Sequence, residues 1–166
     1  MIRFLALGLF MAMGIAWSES PLPFGLKPSE IGQVRIFLSN SVKKTGFGKE
    51  QLEISGTGEV KISHSENYNA PLRSLTGKVS QDQVVALLSY MESNGFSEMK
   101  DGYSANTMYE SVRHVRLTLP GKEKGVYAED PSAPPEFIRI YGAVKFLAGA
   151  ALPECLDRKK YFFFYL

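Results

Sequence analysis

The sequence contains one cysteine, Cys155, among its 166 residues. A single cysteine excludes an intramolecular disulfide and any two-cysteine metal or redox motif, so packing alone must stabilise the fold. A nucleophilic thiol needs a nearby base to lower its pKa, and neither histidine is close to Cys155 in sequence. We interpret Cys155 as a small, partly buried residue; a reactive thiol and an intermolecular disulfide are the alternatives.

Histidine is almost as scarce, since the chain has only His64 and His114. Metal sites gather histidines and carboxylates at coordinating spacing, for example two histidines one turn apart on a helix. Here each histidine falls on a separate predicted strand, and no metal site is predicted. His64 continues the inward series of Val60 and Ile62, whereas His114 lies opposite the inward side of its strand and is expected to face solvent.

The chain carries little net charge. Its 19 lysines and arginines against 17 aspartates and glutamates give +2, which falls to +1 if the segment containing Arg3 is removed. Opposite charges are also interleaved, as in Lys122–Lys124. Proteins bind nucleic acids and anionic membranes through a concentrated basic surface, so the composition argues against both as partners.

The apolar run at the start is too short to cross a membrane. Phe4–Trp17 covers 14 residues, whereas a spanning helix needs about 20. A positive charge lies in Met1–Arg3, and Ala16–Ser18 places small residues before a cleavage point. The pattern predicts a signal peptide over residues 1–18 and a secreted or periplasmic chain with no stable membrane span after cleavage. A membrane anchor is the competing interpretation.

Beyond the signal, we expect one domain preceded by a leader. Pro21, Pro23 and Pro28 punctuate residues 19–32, which are predicted to be extended. Residues 33–166 are predicted to form a single α+β domain with an apolar C-terminal tail, because their composition and length are those of an ordinary globular core.

Two glycine-rich stretches could be mistaken for phosphate-binding loops. In LEISGTGEVKI, residues 52–62, Lys61 occupies the position of the third glycine, and a strand follows where a helix is needed. In GFGKE, residues 46–50, the corresponding position is Gln51. Apolar residues alternate on both sides of Gly56–Gly58, so this stretch is predicted to be the turn of a β-hairpin.

Other strands are predicted wherever apolar residues alternate with polar ones. These lie at 34–38, at 73–79, and in a second hairpin at 112–119 and 126–128. That second hairpin is expected to turn over Pro120–Lys124, and Asn40–Glu50 is expected to be a loop.

Two helices are predicted from capping signals and apolar stripes. Ser80 followed by Gln83 forms a capping box, and Gly95 supplies a C-terminal cap, which bounds a helix at Ser80–Asn94. A second helix begins at Pro134–Pro135 and runs to about residue 150. The apolar stripes are Val84, Leu87, Leu88 and Met91 in the first helix and Phe137, Tyr141, Val144 and Ala148 in the second.

The order of these elements predicts the fold class. Strands grouped before each helix are typical of α+β proteins, in which helices segregate to one side of an antiparallel sheet. We therefore expect an antiparallel sheet of two hairpins plus flanking strands, packed on one face by two helices.

No catalytic, cofactor-binding or metal-binding residue is predicted. Hydroxyl groups are common, but none lies in a Gly-x-Ser-x-Gly elbow. The acidic pairs Glu129–Asp130 and Glu98 with Asp101 are interpreted as solvated loop residues. An enzyme would then need a site dispersed over the fold.

The residues that could build such a dispersed site are His64, His114, Arg116 and Tyr127. Arg113 also flanks His114, but strand alternation places Arg113 on the inward side, so this basic group is split between the two faces of its strand.

The last segment, YFFFYL at Tyr161–Leu166, follows Lys159–Lys160. We predict a strand that closes the sheet edge, with the lysines opposing aggregation. The alternative is an exposed patch that contacts a partner or a membrane surface.

The order of four segments resembles a family of small secreted bacterial domains of unknown function. These segments are LEISGTGEVKIS, LTGKVSQDQVVALLSYMESNGFSEMKDGY, VRLTLPGKEKGVY and PPEFIRIYGAVKFL, and the likeness covers about residues 33–150. Its most particular part is Gly95–Phe96 followed by Asp101 and Tyr103. The family's usual cysteine pair is absent from SVKKTGFGKEQ, so no role tied to that pair applies here. Since the family has no established activity, the resemblance implies a fold and a location and transfers no site residue.

Three functional hypotheses follow. The first is an exported, non-catalytic domain that binds a protein or a cell-envelope component through its sheet surface, its loops or its tail. The second is a hydrolase-like enzyme with a dispersed site that the sequence hides. The third is an accessory subunit docked by its aromatic C-terminus.

Overall fold

A computed structural model describes residues 21–42, 50–65, 71–105 and 111–152. The predicted signal peptide, Cys155 and the tail at Tyr161–Leu166 lie outside the described residues. The strands are β1 (Arg35–Val42), β2 (Glu50–Ser55), β3 (Glu59–His64), β4 (Arg73–Lys78), β5 (Gly102–Tyr103), β6 (Ser111–Leu119) and β7 (Lys122–Glu129). The α-helices are α1 (Gln81–Ser93) and α2 (Pro135–Ala151).

The seven strands form one sheet in the order β4-β3-β2-β1-β6-β7-β5. All neighbours pair antiparallel except β5, which runs parallel to β7. This mostly antiparallel sheet with two helices confirms the predicted α+β class. None of the helices within the described ranges is long and apolar enough to span a membrane.

The core lies between one sheet face and the two helices. Alternate strand residues such as Ile36, Leu38 and Leu117 are almost fully buried, as the period of two requires. Leu88 and Phe137 meet them from α1 and α2 and belong to the same apolar cluster. We call this covered side the inner face and the opposite side the outer face.

Local capping places α1 as predicted. The Ser80 hydroxyl accepts a hydrogen bond from the Gln83 amide at 3.2 Å, and the Gln83 side chain accepts one from the Ser80 amide at 2.9 Å. Gly95 follows the helix with φ 69°, a left-handed conformation that glycine adopts without a Cβ penalty. Phe96 is then fully buried against the core.

The first glycine hairpin also forms, and its glycines serve backbone geometry. Gly58 has φ 88°, and its amide donates to the Ser55 carbonyl at 2.9 Å to close the turn. The Gly56 amide donates to the Val34 carbonyl at 2.8 Å. A Cβ on Gly56 would collide with the Ile31 carbonyl oxygen, so this turn lies directly against the chain that leads into β1.

Two predicted loops are shorter than expected. Asn40–Glu50 was predicted to be a loop, but Asn40 and Val42 belong to β1 and Glu50 belongs to β2, because β6 continues to pair with β1 as far as Val42. The second hairpin turns at Pro120–Gly121, not over Pro120–Lys124, and β7 begins at Lys122. Gly121 has φ 72°, which allows the tighter turn.

The described part of the predicted leader is only partly extended. Short 3-10 helices occupy Pro23–Gly25 and Pro28–Gln33. Leu26 and Ile31 are buried in the apolar core, which explains why the chain folds back onto the domain here.

Candidate functional site

Four side chains meet on the outer face of β1, β6 and β7. Phe37 is directly opposite Arg116 in the β1–β6 register, and His114 is directly opposite Tyr127 in the β6–β7 register. Since His114 and Arg116 are two positions apart on β6, all four project from the same side of the sheet. We call Phe37, His114, Arg116 and Tyr127 the outer patch.

The outer patch is held together by ring contacts. The Arg116 guanidinium carbon lies 4.8 Å from the centre of the Phe37 ring, within the range of a cation–π interaction. The ring centroids of Phe37 and His114 are 6.3 Å apart with an interplanar angle of 66°, an edge-to-face arrangement. These contacts align an apolar ring, an imidazole and a guanidinium across two strands.

Two glycines let the remaining rings lie close to the sheet. A Cβ on Gly125 would lie 3.1 Å from Nε2 of His114, so the imidazole rests over this glycine. A Cβ on Gly102 would collide with the Tyr127 ring, which therefore crosses the β5 backbone. Tyr127 still exposes 46% of its surface, so it presents a fixed aromatic face to solvent.

The charge of the outer patch resides on Arg116. Within the described residues Arg116 makes no ion pair, whereas Glu53 pairs with Arg35 at 3.7 Å and Glu123 accepts a hydrogen bond from Thr118 at 3.0 Å. Burial lowers the pKa of His114 below its usual 6.5, the Arg116 charge lowers it further, and Glu123 opposes both. His114 is therefore mainly neutral near pH 7, and the patch is apolar with one cation.

The structure divides the predicted dispersed site. His114, Arg116 and Tyr127 lie together on the outer face, but His64 shares the inner side of β3 with Val60 and Ile62, as its alternation predicts. His114 lies on the side opposite the inward residues, as its alternation predicts. It is nevertheless partly buried beside Phe37 and Gly125, so it is less exposed to solvent than expected.

The acidic pair Glu129–Asp130 was interpreted as solvated, and this is wrong. Glu129 is buried and accepts hydrogen bonds from the Ser104 hydroxyl at 2.7 Å and the Ala105 amide at 3.2 Å. Asp130 accepts one from the Ser111 hydroxyl at 2.7 Å and pairs with Arg113 at 2.9 Å. Both carboxylates therefore tie chain segments together at one end of the sheet.

The other acidic pair does not assemble a site. Glu98 is exposed, while Asp101 binds the Lys124 ammonium at 2.6 Å. Across the ranges that the structure describes, no three histidine, cysteine, aspartate or glutamate side chains come together as metal ligands would.

A second group of polar side chains lies on the inner face, beside the apolar core. Glu50, Asn40 and Arg113 are aligned across β2, β1 and β6 by their register. Tyr141 and Lys145 reach the same region from α2, because the Arg113 carbon and the Lys145 nitrogen lie 5.3 Å and 5.6 Å from the Tyr141 ring centre. We call these five residues the inner polar cluster.

Burial makes this cluster unusual. Tyr141 exposes 2% of its surface, Asn40 6% and Lys145 8%. Desolvation raises the pKa of Tyr141 well above its usual 10, and the nearby Arg113 charge opposes that shift. Desolvation lowers the pKa of Lys145 to about 8, Arg113 acts in the same direction, and Glu50 opposes both.

The sequence predictions missed the inner polar cluster as a group. Asn40 and Glu50 were assigned to a loop, and Tyr141 was counted as part of an apolar helix stripe. The available signal was the alternation Ile36, Leu38, Asn40, which places the asparagine on the inner face once β1 is extended by two residues.

No protein-family model matches the chain, and no curated protein matches it either. The resemblance to small secreted bacterial domains therefore stays a prediction.

Proposed function

We propose that the chain is an exported, non-catalytic binding domain whose outer patch docks an acidic segment of a protein in the cell envelope. The observation that carries this proposal is the pairing of Arg116, which has no ion pair among the described side chains, with an exposed aromatic surface on the sheet face opposite the helices.

The chemistry of the outer patch supports a protein partner. Tyrosine and arginine dominate the energetic centres of protein interfaces, since each combines a large contact area with directional hydrogen bonds. Tyr127 and Arg116 supply this combination on rigid strands, and Phe37 adds apolar area on the neighbouring strand β1. Ordered side chains lose little entropy on binding, which favours affinity.

Charge complementarity defines the partner's side of the interface. A carboxylate that approaches Arg116 would form a charge-assisted hydrogen bond beside an aromatic ring, where contact with the partner excludes water. Arginine forks match carboxylates in two parallel hydrogen bonds, so an aspartate or glutamate next to an apolar residue fits the patch best.

Photo-crosslinking tests this proposal directly. A photoreactive residue at position 127 should yield discrete adducts with an envelope protein, whereas the same residue at exposed position 61 on β3 should not. Arg116→Glu should abolish the adduct, because it places like charges together. Adducts that form equally from both positions, or that survive Arg116→Glu, would refute docking through the patch.

The same experiment separates docking through the outer patch from docking through the C-terminal tail. If deletion of residues 161–166 removes the adduct while Arg116→Glu preserves it, the tail-docked subunit is correct instead. Export is tested independently by mass spectrometry of the chain from the secreted and periplasmic fractions, where the proposal expects an N-terminus at Glu19. Retention of residues 1–18 would contradict it.

A further inference from the structure

Three buried polar atoms of the inner polar cluster find no hydrogen-bond partner among the described residues. They are the side-chain oxygen of Asn40, Nε of Arg113 and the hydroxyl of Tyr141. Buried polar groups in folded proteins are almost always paired, and leaving one unpaired costs on the order of 1–3 kcal/mol. Three such groups in one region indicate that something completes them.

The three residues are neighbours on β1, β6 and α2. Asn40 and Arg113 are directly opposite each other in the β1–β6 register. The Arg113 guanidinium lies over the Tyr141 ring at 5.3 Å, and the Lys145 ammonium approaches that ring at 5.6 Å. We therefore treat the three unpartnered atoms as parts of one buried site.

The donors specify an oxygen acceptor. Nε of Arg113 can only donate, and the Tyr141 hydroxyl can donate to the same oxygen group. The Asn40 amide can turn by half a rotation and present its NH₂ in place of its oxygen, because the two orientations have the same shape. All three groups can thus donate to a single oxyanion.

Charge limits that oxyanion to a single negative charge. Lys145 is buried and the Arg113 side chain is 13% exposed, whereas Asp130, the ion-pair partner of Arg113, exposes 35% of its side chain. The two carboxylates of Glu50 and Asp130 formally balance the two cations Arg113 and Lys145, so a bound oxyanion should add as little further negative charge as it can. A doubly charged anion would leave more buried charge uncompensated, which is costly in the low-dielectric interior of a protein.

We propose that the inner polar cluster binds a small monocarboxylate, with the carboxylate meeting Arg113, Tyr141 and Asn40. This site is independent of the outer patch, because it lies on the opposite face of the sheet. It gives the domain a second ligand of a different class.

Titration of the whole chain with sodium acetate, against sodium chloride at equal ionic strength, tests the proposal. The Arg113 Nε–H resonance in NMR spectra should shift saturably with acetate, with a millimolar dissociation constant, and chloride should not reproduce the shift. Tyr141→Phe keeps the packed ring and removes one hydroxyl, so it should weaken acetate binding at least tenfold. Tyr127→Phe removes a hydroxyl from the outer patch and should leave acetate binding unchanged.

A second variant guards against misfolding as the cause of lost binding. Arg113→Lys keeps the positive charge and removes Nε, and it should also weaken acetate binding while thermal unfolding stays cooperative. No saturable shift with acetate, or equal affinity in Tyr141→Phe and the unmodified chain, would overturn the proposal and leave ordered water as what completes the three atoms. Tighter binding of inorganic phosphate than of acetate would also overturn it.

Discussion

Lys145 is a buried base on α2, and its surroundings make the stability of the fold depend on pH. Its folded-state pKa of about 8 lies below the 10.5 of an ordinary lysine. Between these values the unfolded chain binds more protons than the folded chain, so the free energy of unfolding must rise with pH across this window. Below about pH 8 the full penalty for burying the charge applies.

We therefore predict that the free energy of unfolding increases from about pH 8 to about pH 10, measured by urea denaturation. Lys145→Met removes the titrating group and should flatten the increase. The window stops near pH 10 because the raised pKa of Tyr141 acts in the opposite direction above the ordinary tyrosine value of 10.0. An increase of the same slope in Lys145→Met would contradict this explanation.

His114 is expected to make the stability of the fold depend on pH on the acidic side of neutrality. Its pKa is lowered in the folded state by burial and by Arg116, so the unfolded chain takes up its proton first as pH falls through 6.5. Its contribution to stability is therefore present above that pH and is lost below it. His114→Gln should reduce the fall in melting temperature on acidification, as measured by calorimetry. If the variant loses as much melting temperature as the unmodified chain, another group is responsible.

At the scale of elements, two hairpin glycines make a matched pair. Gly58 and Gly121 both have positive φ, 88° and 72°, but a Cβ on Gly58 would collide with the Val79 carbonyl, whereas Gly121 has nothing within 4 Å. Gly121→Ala should cost only the left-handed penalty of about 1–2 kcal/mol. Gly58→Ala should cost more, because the β4–α1 connection at Val79 must also move. Equal losses in chemical denaturation would show that the collision is relieved without cost.

Local signals were sufficient to predict the individual elements. The capping box at Ser80 and Gln83, the alternation around Gly56–Gly58 and the apolar stripe of α2 each depend on residues within a few positions of one another. The pairing of β1 with β6 and the parallel contact of β5 with β7 depend on residues far apart in sequence. No local pattern in one chain encodes that choice of partner.

The same distinction explains what was predicted of the candidate sites. Alternation correctly assigned Arg113 to the inner face and His114 with Arg116 to the outer face, since parity within β6 is a local property. The contact of Arg116 with Phe37 could not be predicted, because it requires the β1–β6 register. The inner polar cluster needed that register and the position of α2 as well.

At the scale of the whole molecule, the hairpin β6–β7 is inserted between two strands from the earlier part of the chain. The order β1-β6-β7-β5 places β1 on one side of it and β5 on the other. If the backbone is cut between Ala105 and Ser111, the two pieces should stay associated, because each presents strand edges that only the other can pair. Co-elution in size-exclusion chromatography checks this, and separate elution without denaturant would contradict it.

Because the hairpin β6–β7 pairs between β1 and β5, the outer patch is assembled from both pieces of the chain. Phe37 and the glycine beneath Tyr127 come from the earlier piece, whereas His114, Arg116 and Tyr127 come from the later one. Neither piece alone presents the full surface. A partner that recognises the outer patch would therefore bind only completely folded chains, because the full patch exists only after the hairpin β6–β7 has paired with both β1 and β5.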